Sequence, residues 1–334
     1  MFRLCTLIGL ALAAPLFGAV SVLEDFSADP AARGWKVFGD ASQFRWNSSN
    51  QNLQVTWDSS RANSYFYRPL GNILSRSDDF NFGFELRLQD IAIGTTSNKN
   101  YTFQIAVGLM NFGNATNGNF YRGSGVNAVY GPKNLVEFDY FPDSGFGATF
   151  APTVVSSNNV IVFSDNHPLE LTAGDLFQFQ FSYTSSNHLL HTSVLKNGQP
   201  FGMPPDNSIA DLDLSGVPDF RVDALAVMSY SDANQPGPAQ FHGSILAHGV
   251  LDNFSLSMPD PPVMSLRGAL TNQTWQAQFL SRTNWIYLLE GSPEFLSWSG
   301  VSLPANGSGV EIVLHDTNTI SSSQFYRVKA WRAN

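Results

Sequence analysis

The sequence predicts an all-β protein, with an antiparallel β-sandwich followed by a small β-sandwich module. Three observations support this prediction. Apolar and polar residues alternate strictly in several stretches, which is typical of antiparallel strands with one packed face and one wet face. Turns rich in Gly and Asn separate these stretches, and no blade-length repeat is present. A proline-rich break, MPDPPV (258–263), separates a long amino-terminal part from about 70 further residues.

The individual strands follow from this alternation. The clearest examples are NFGFELRLQD (81–90), YTFQIAVGLM (101–110) and LFQFQFSYTS (176–185). The stretch HTSVLKNGQPF (191–201) predicts a hairpin, because Asn197-Gly198 supplies residue types that suit the positive φ values of a two-residue turn. No stretch has a clear helical period, although DLDLSGVPDF (211–220) could hold one short helical turn.

The first twenty residues, MFRLCTLIGLALAAPLFGAV, have the pattern of a secretory signal peptide. Their apolar stretch is too short to span a membrane. Cys5 is the only cysteine, so cleavage leaves a chain without disulfides, which is typical of bacterial secretion. We therefore predict a signal peptide over 1–20, a large domain over 21–258, a linker over 259–262 and a small module over 263–334.

Charge narrows the possible partners. The formal net charge is −9 and the few Lys and Arg are scattered. Nucleic acid is therefore not an expected partner, because no basic stripe is available for phosphates. We also expect no membrane span, and an exported protein that resides outside the cell, at the cell surface or in the periplasm. The oligomeric state is left open.

One strand carries acids inside an apolar run, NLVEFDYFPDSGFG (134–147). Residues two apart share a face of an extended strand. Glu137 and Asp139 therefore lie on one side, and Phe138 and Tyr140 on the other. We expect the aromatic side to face the core and the acidic side to face solvent or a groove.

This strand resembles the metal-binding strand of the legume-type lectins, in the concanavalin A-like jelly-roll superfamily. That strand runs Glu-x-Asp-x-aromatic-x-Asn, and Glu137, Asp139, Phe141 and Asp143 match it in order. The resemblance implies a jelly-roll sandwich and a calcium site at Glu137, Asp139 and Asp143, since carboxylate and carbonyl oxygens are calcium ligands. The downstream Asp and His of the family's second metal have no counterpart. The alternative is a solvated acidic face without metal.

The same superfamily includes laminarinase-like glycoside hydrolases, whose strand carries Glu-x-Asp-x-Glu. Retaining hydrolysis needs two carboxyl groups that face each other across the scissile bond. Here the third position is Phe141, and Asp143 follows Pro142, so the general acid is missing. We therefore predict no catalytic residues.

The stretch that precedes this strand, NFGNATNGNFYRGSGVNAVYGPKN (111–134), combines aromatic and amide side chains. Aromatic faces contact the C–H groups of sugars, and amides bond their hydroxyls. The candidate ligand-binding residues are Asn111, Phe120, Tyr121, Arg122 and Tyr130. The alternative is an ordinary connection whose aromatic residues close over the edge of the sandwich.

The carboxy-terminal part is similar to small β-modules appended to secreted proteins of environmental bacteria, through YLLEGSPEFLSW (287–298) and QFYRV (324–328). Trp285, Tyr287 and Trp298 are predicted to be core residues.

Together these features favour a secreted, non-catalytic protein that binds a glycan or another cell-surface polymer, or serves in adhesion. A structural surface protein without a small ligand and a laminarinase-like hydrolase are the two alternatives.

Overall fold

The computed structural model describes residues 19–94, 104–120, 122, 132–143, 147–231, 244–272, 274–317 and 324–332. Residues 1–18, which hold most of the predicted signal peptide, lie outside this set. Among the described residues, no helix is long and apolar enough to cross a membrane.

Strands dominate the described chain. The strands before the proline-rich break are β1 Ala19–Glu24, β2 Lys36–Phe38, β3 Phe44–Asn47, β4 Asn52–Asp58, β5 Ser64–Ser75, β6 Phe80–Ile93, β7 Ile105–Met110, β8 Leu135–Phe141, β9 Thr149–Val155, β10 Ile161–Phe163, β11 Phe177–Thr184, β12 Leu189–Lys196, β13 Gln199–Pro200, β14 Leu212–Asp213, β15 Arg221–Ser229 and β16 Ile245–Pro259. Those after it are β17 Val263–Thr271, β18 Thr274–Ser281, β19 Trp285–Ser292, β20 Ser299–Gly300, β21 Ala305–Asn306, β22 Glu311–His315 and β23 Phe325–Arg332. The helical elements are the short α1 Phe112–Ala115 and two 3₁₀ turns, Pro30–Arg33 and Ala41–Gln43.

Two antiparallel sheets form the large sandwich. The nine-stranded sheet has the order β13-β12-β11-β6-β16-β4-β3, with β1 on β16 and β14 on β12. The seven-stranded sheet has the order β10-β9-β8-β7-β15-β5-β2. Phenylalanine rings fill the space between the sheets; Phe84 and Phe179 from one sheet pack against Phe138 and Phe150 from the other. The predicted all-β, antiparallel sandwich is confirmed.

Period 2 predicts the faces of the nine-stranded sheet correctly. In β11 every second residue is buried, and the residues between them are half-buried or exposed. The hairpin prediction is also confirmed, because β12 and β13 flank Asn197 and Gly198, with φ of 52° and 79°. The possible helical turn at 211–220 is wrong, since this stretch holds the short strand β14 and turns.

The centre of the seven-stranded sheet departs from the prediction. Every residue of β7, β8 and β9 is buried, so both faces of the sheet are covered there. The expected wet face is therefore absent from these three strands. Arg122, from the connection between β7 and β8, lies over the acids of β8, as described below.

The residues after the break form two further sheets, β17-β18-β22 and β20-β19-β21 with β23 on β19. They enclose a separate core that includes Phe279, Tyr287 and Leu289. Arg282 reaches back to the large sandwich, with Nη2 2.9 Å from the buried Asp78 carboxylate and Nη1 donating to the Asp260 carbonyl. Two cores on either side of the break are compatible with the predicted domain boundaries, which stay a prediction.

Candidate functional site

The floor of the candidate site is the outer face of the seven-stranded sheet, on the side away from the phenylalanine core. Cross-strand partners share a face. The row through Glu137 contains Tyr67, Ala226, Gly108, Glu137 and Thr153. The row through Asp139 contains Tyr65, Met228, Ala106, Asp139 and Ala151. Small residues beside the acids leave room for a side chain that lies across the sheet.

Gly108 shows how closely β7 and β8 approach. A Cβ atom at this position would collide with the carbonyl oxygen of Val136 and with the Cα of Glu137. Glycine at this position therefore allows the acid-bearing strand to pair closely with its neighbour.

Residues 111–120 and 122, and 132–134 at the far end, are the described part of the segment 111–134, and they lie against this floor. We call 111–134 the covering segment. Its two ends are joined, since the Asn111 N–H donates to the Asn134 carbonyl and the Asn134 amide donates to Asn114 Oδ1. The Asn111 side chain accepts a hydrogen bond from the Asn114 N–H at the start of α1, as N-terminal capping residues do. The two ends of the connection are thus held together by hydrogen bonds.

Helix α1 lies on the tyrosine side of the floor. The ring of Phe112 stacks on Tyr67 with 4.2 Å between centroids. The Tyr65 hydroxyl donates to the carbonyl oxygen of Ala115 at 3.0 Å. Further along, the Asn63 amide donates to the carbonyl of Phe120, whose buried ring packs against Tyr230. These contacts bury the side chains of Tyr65 and Tyr67 on this face of the sheet.

Arg122 binds both acids of β8. Its Nε donates to Glu137 Oε1 at 2.6 Å, and its Nη2 donates to Asp139 Oδ2 at 2.5 Å. All three residues are at most 1% exposed. The planar guanidinium has several donors in a fixed geometry, which suits it to bridge two carboxylates two residues apart on one strand.

Neutral side chains supply further hydrogen bonds to the two acids. The Tyr230 hydroxyl donates to Glu137 Oε2 at 2.7 Å, and the Gln104 amide donates to Asp139 Oδ1 at 3.3 Å. We call Gln104, Arg122, Glu137, Asp139 and Tyr230 the buried ion network. Its members come from β8, the end of β15 and the segments beside β7, so it ties the covering segment to the centre of the sheet.

The network holds two carboxyl groups and one guanidinium. Burial raises the pKa of Asp139; Arg122 opposes this shift and the neighbouring charge of Glu137 adds to it. Although burial alone lowers the pKa of Arg122, the charges of Asp139 and Glu137 raise it above its ordinary value. Arg122 therefore remains cationic, while Asp139 takes up a proton more readily than an exposed aspartate does.

This arrangement corrects the prediction for the acidic face. Glu137 and Asp139 are buried, and Arg122, Tyr230 and Gln104 bond to their carboxylates where solvent or a groove was expected. The sequence-predicted calcium site also does not fit this geometry, since the guanidinium occupies the space between the two carboxylates that a cation would need. Asp143 lies two residues beyond the end of β8. Among the described residues, no group of three or more His, Cys, Asp or Glu is placed to hold a metal ion.

The predicted ligand-binding residues fall into two groups. Phe120 and Arg122 are buried and serve the interior, and the Asn111 amide donates to Asp223 while its oxygen caps α1. Neither Phe120 nor Arg122 presents a surface to a ligand in this arrangement. Tyr121 and Tyr130 lie outside the described residues, so their role stays a prediction. Sequence reasoning missed Tyr230 and Gln104, since a single polar residue beside a strand carries no signal for its distant partner.

The network predicts an unusual pH dependence of stability. The ordinary pKa of Asp139 is 3.8, and its folded-state pKa is higher. The folded protein therefore keeps a proton at pH values where the unfolded chain has lost it, and the contribution of Asp139 to the free energy of unfolding falls as the pH rises above about 4. We expect Asp139→Asn to remove this fall, measured by urea denaturation between about pH 4 and pH 8.

Asp40 is the matched control, because its shift has the opposite sign. Hydrogen bonds from the Ser42 side chain and N–H, and from Arg61, lower the pKa of Asp40. Its contribution is present above the unfolded-state pKa and is lost as the pH falls. If wild type and Asp139→Asn show the same pH dependence while Asp40→Asn differs from both, the assignment to Asp139 is wrong.

Comparison with known proteins identifies no family for this chain. No family model and no curated protein matches the sequence. Among solved structures, the chain is similar to peanut lectin with a nine-residue peptide, PVIWSSATG, at 14% identity and a TM-score of 0.41, over 73% of this chain and 100% of that one. It is also similar to lectin II from Ulex europaeus, at 12% identity and a TM-score of 0.42, over 72% and 99%. A third is the metal-free form of lectin I-B4 from Griffonia simplicifolia, at 13% identity and a TM-score of 0.41, over 72% and 100%. At these identities and TM-scores the likeness assigns no ligand to this chain.

Proposed function

We propose that the protein is exported and binds a glycan or another surface polymer without catalysis, using the covering segment as its binding element. The observation that carries this proposal is the anchoring of that segment. Its ends are hydrogen-bonded to each other, and Arg122 near its middle is held by two buried carboxylates. The sequence neighbours of Tyr121, Phe120 and Arg122, are both buried. A binding element whose neighbouring residues are already held in place loses less conformational entropy on binding.

The composition of the segment supports a carbohydrate rather than a charged ligand. Its exposed turn carries Asn117, Gly118 and Asn119, and its remaining aromatic residues are Tyr121 and Tyr130. Amides exchange hydrogen bonds with sugar hydroxyls, and tyrosine rings pack on sugar C–H groups. The signal-peptide pattern of residues 1–20 supports export of the protein.

The buried ion network argues against the hydrolase alternative. A general acid and a nucleophile must contact the glycosidic bond. Glu137 and Asp139 are instead fully buried, and their oxygens accept hydrogen bonds from Arg122, Tyr230 and Gln104. Catalysis on this strand would first require removal of Arg122. We therefore favour a binding protein over an enzyme.

Binding to a glycan array tests the proposal. We expect the wild-type protein to bind at least one glycan class, and Tyr121→Ala or Tyr130→Ala to weaken binding about tenfold, equivalent to about 1.4 kcal/mol. Phe163→Ala is the matched control, because this exposed aromatic residue lies on the edge strand β10 of the same sheet.

Two outcomes would contradict the proposal. Absence of binding to every glycan, together with self-assembly or retention on cells, would favour the structural alternative. Release of reducing sugar by the wild-type protein, lost in Glu137→Gln, would favour the hydrolase.

A further inference from the structure

One face of strand β23 points away from the second core. Among the described residues, strand β23 pairs with β19 alone and lies at an edge of its sheet. Tyr326, Val328 and Ala330 point inward and pack against the second core. The residues between them, Phe325, Arg327, Lys329 and Trp331, therefore share the outer face. We call this row the β23 face.

Two more aromatic residues extend the β23 face at one end. Phe295 lies in the loop between β19 and β20 and is 59% exposed, with its ring centroid 3.7 Å from that of Phe325. The ring of Trp298 lies 6.0 Å from Phe295, and the guanidinium of Arg327 lies over it at 4.3 Å. Trp298 is half-buried and does not belong to the second core, which corrects its predicted role.

The backbone holds Phe295 in this exposed position at a cost. Its φ is 63°, in the left-handed region that non-glycine residues rarely adopt and that is strained for bulky ones. Such conformations cluster at ligand-contacting sites more than elsewhere. A strained, exposed aromatic residue beside a second exposed ring therefore points to a contact surface.

The charges on the face do not cancel. Arg327 and Lys329 share one acceptor, the Glu290 carboxylate, at 2.7 Å and 3.4 Å. The side chains of Arg327 and Lys329 are 51% and 55% exposed, whereas that of Glu290 is 7% exposed. The accessible charge of the face is thus positive. Residues 263–334 as a whole carry five Lys and Arg against four Asp and Glu, whereas residues 1–262 carry 13 against 23.

We propose that the β23 face binds an acidic polysaccharide, one whose sugar rings carry carboxylates. The rings of Phe325, Trp298 and Trp331 can pack on pyranose C–H groups, while Arg327 and Lys329 form charge-assisted hydrogen bonds with the carboxylates. From Phe325 to Trp331 the strand extends about 20 Å, long enough for several sugar units in a row.

Other acidic partners fit the face less well. A nucleic acid needs a longer series of cations, and the chain as a whole is acidic with a net charge of −9. Segments that bind anionic membranes typically carry clusters of about four to eight Lys and Arg. The β23 face has two cationic residues, Arg327 and Lys329. The β23 face is extended, and its aromatic rings flank two central cations, which suits a polymer that repeats both an apolar face and a carboxylate.

This inference does not depend on the proposed function, because the covering segment belongs to the other core. The experiment measures binding of the full chain to polygalacturonate by calorimetry, with dextran as the neutral polymer. We expect the wild-type protein to bind polygalacturonate but not dextran through this face, and the affinity to fall as salt increases. Arg327→Gln combined with Lys329→Gln should weaken binding about tenfold, and Trp331→Ala should also weaken it.

Controls separate the face from general charge and from the first proposal. Arg267→Gln removes an exposed cation from the other sheet of the same module, where Arg267 pairs with Glu311, and should leave the affinity unchanged. Tyr121→Ala should also leave it unchanged. Glu290→Gln removes the competing carboxylate and should strengthen binding, an effect that a misfolded variant cannot mimic. The proposal is overturned if the double variant binds polygalacturonate as tightly as the wild type, or if Arg267→Gln weakens binding as much as the double variant does. It is also overturned if the wild type does not bind polygalacturonate, or binds only vesicles of anionic lipid.

Discussion

Replacing Arg122 with alanine is expected to lower the free energy of unfolding by about 3–5 kcal/mol. The substitution leaves Glu137 and Asp139 buried, two residues apart and without a cation. Desolvation and mutual repulsion of the two carboxylates then act without compensation, and the covering segment loses its central anchor. Urea denaturation at neutral pH, followed by tryptophan fluorescence, measures the loss.

The control for this prediction is another arginine of the large sandwich. Arg45 is exposed, and its guanidinium donates to the Gln54 side chain, so Arg45→Ala should cost less than about 1 kcal/mol. Adding Asp139→Asn to Arg122→Ala should recover part of the lost stability, because one buried charge remains in place of two. If Arg122→Ala costs no more than Arg45→Ala, the ion network does not hold the covering segment.

Replacing Phe138 with alanine, on the opposite face of the same strand, is expected to cost a similar amount, about 3–5 kcal/mol. The Phe138 ring lies 4.5 Å from Phe179, 4.7 Å from Phe150 and 5.9 Å from Phe84. These neighbours come from both sheets, so the cavity left by the ring would lie between the sheets. The neighbouring rings are fixed to hydrogen-bonded strands and cannot move in to fill it. The same denaturation experiment measures the effect.

Phe163→Ala tests whether this loss comes from burial. Phe163 belongs to the same sheet but is 46% exposed, so its removal should cost less than about 1 kcal/mol. A loss in Phe138→Ala as small as that in Phe163→Ala would contradict the assignment of the sandwich core.

Much of the fold follows from local patterns. Period 2 divides β8 into a side with Phe138 and a side with Glu137 and Asp139, and the structure has this division. The turn at Asn197 and Gly198 follows from backbone chemistry that involves only neighbouring residues. The short helix considered at 211–220 was wrong because the competing pairing of β14 with β12 depends on a distant strand.

The candidate site could be predicted only in part. The match to a lectin metal strand singles out Glu137 and Asp139, and the aromatic and amide content of 111–134 singles out the covering segment. The sequence does not predict that Arg122 binds Glu137 and Asp139. No local pattern links an arginine to an acid 15 positions further along the chain. Similarly, nothing in the sequence distinguished Trp298 on an outer face from Tyr287 in a core.

The sequence by itself therefore determined the fold class, the face that each strand residue occupies and the acidic character of one strand. Only the tertiary structure decided whether the acidic side chains contact solvent, bind a metal ion or form ion pairs with a basic side chain. Strand periodicity depends on neighbouring residues, whereas the burial and the partners of a strand face depend on which distant segment packs against it. Here that segment brings a guanidinium to two carboxylates, and a site that the sequence pattern suggests for a metal ion becomes an internal ion network.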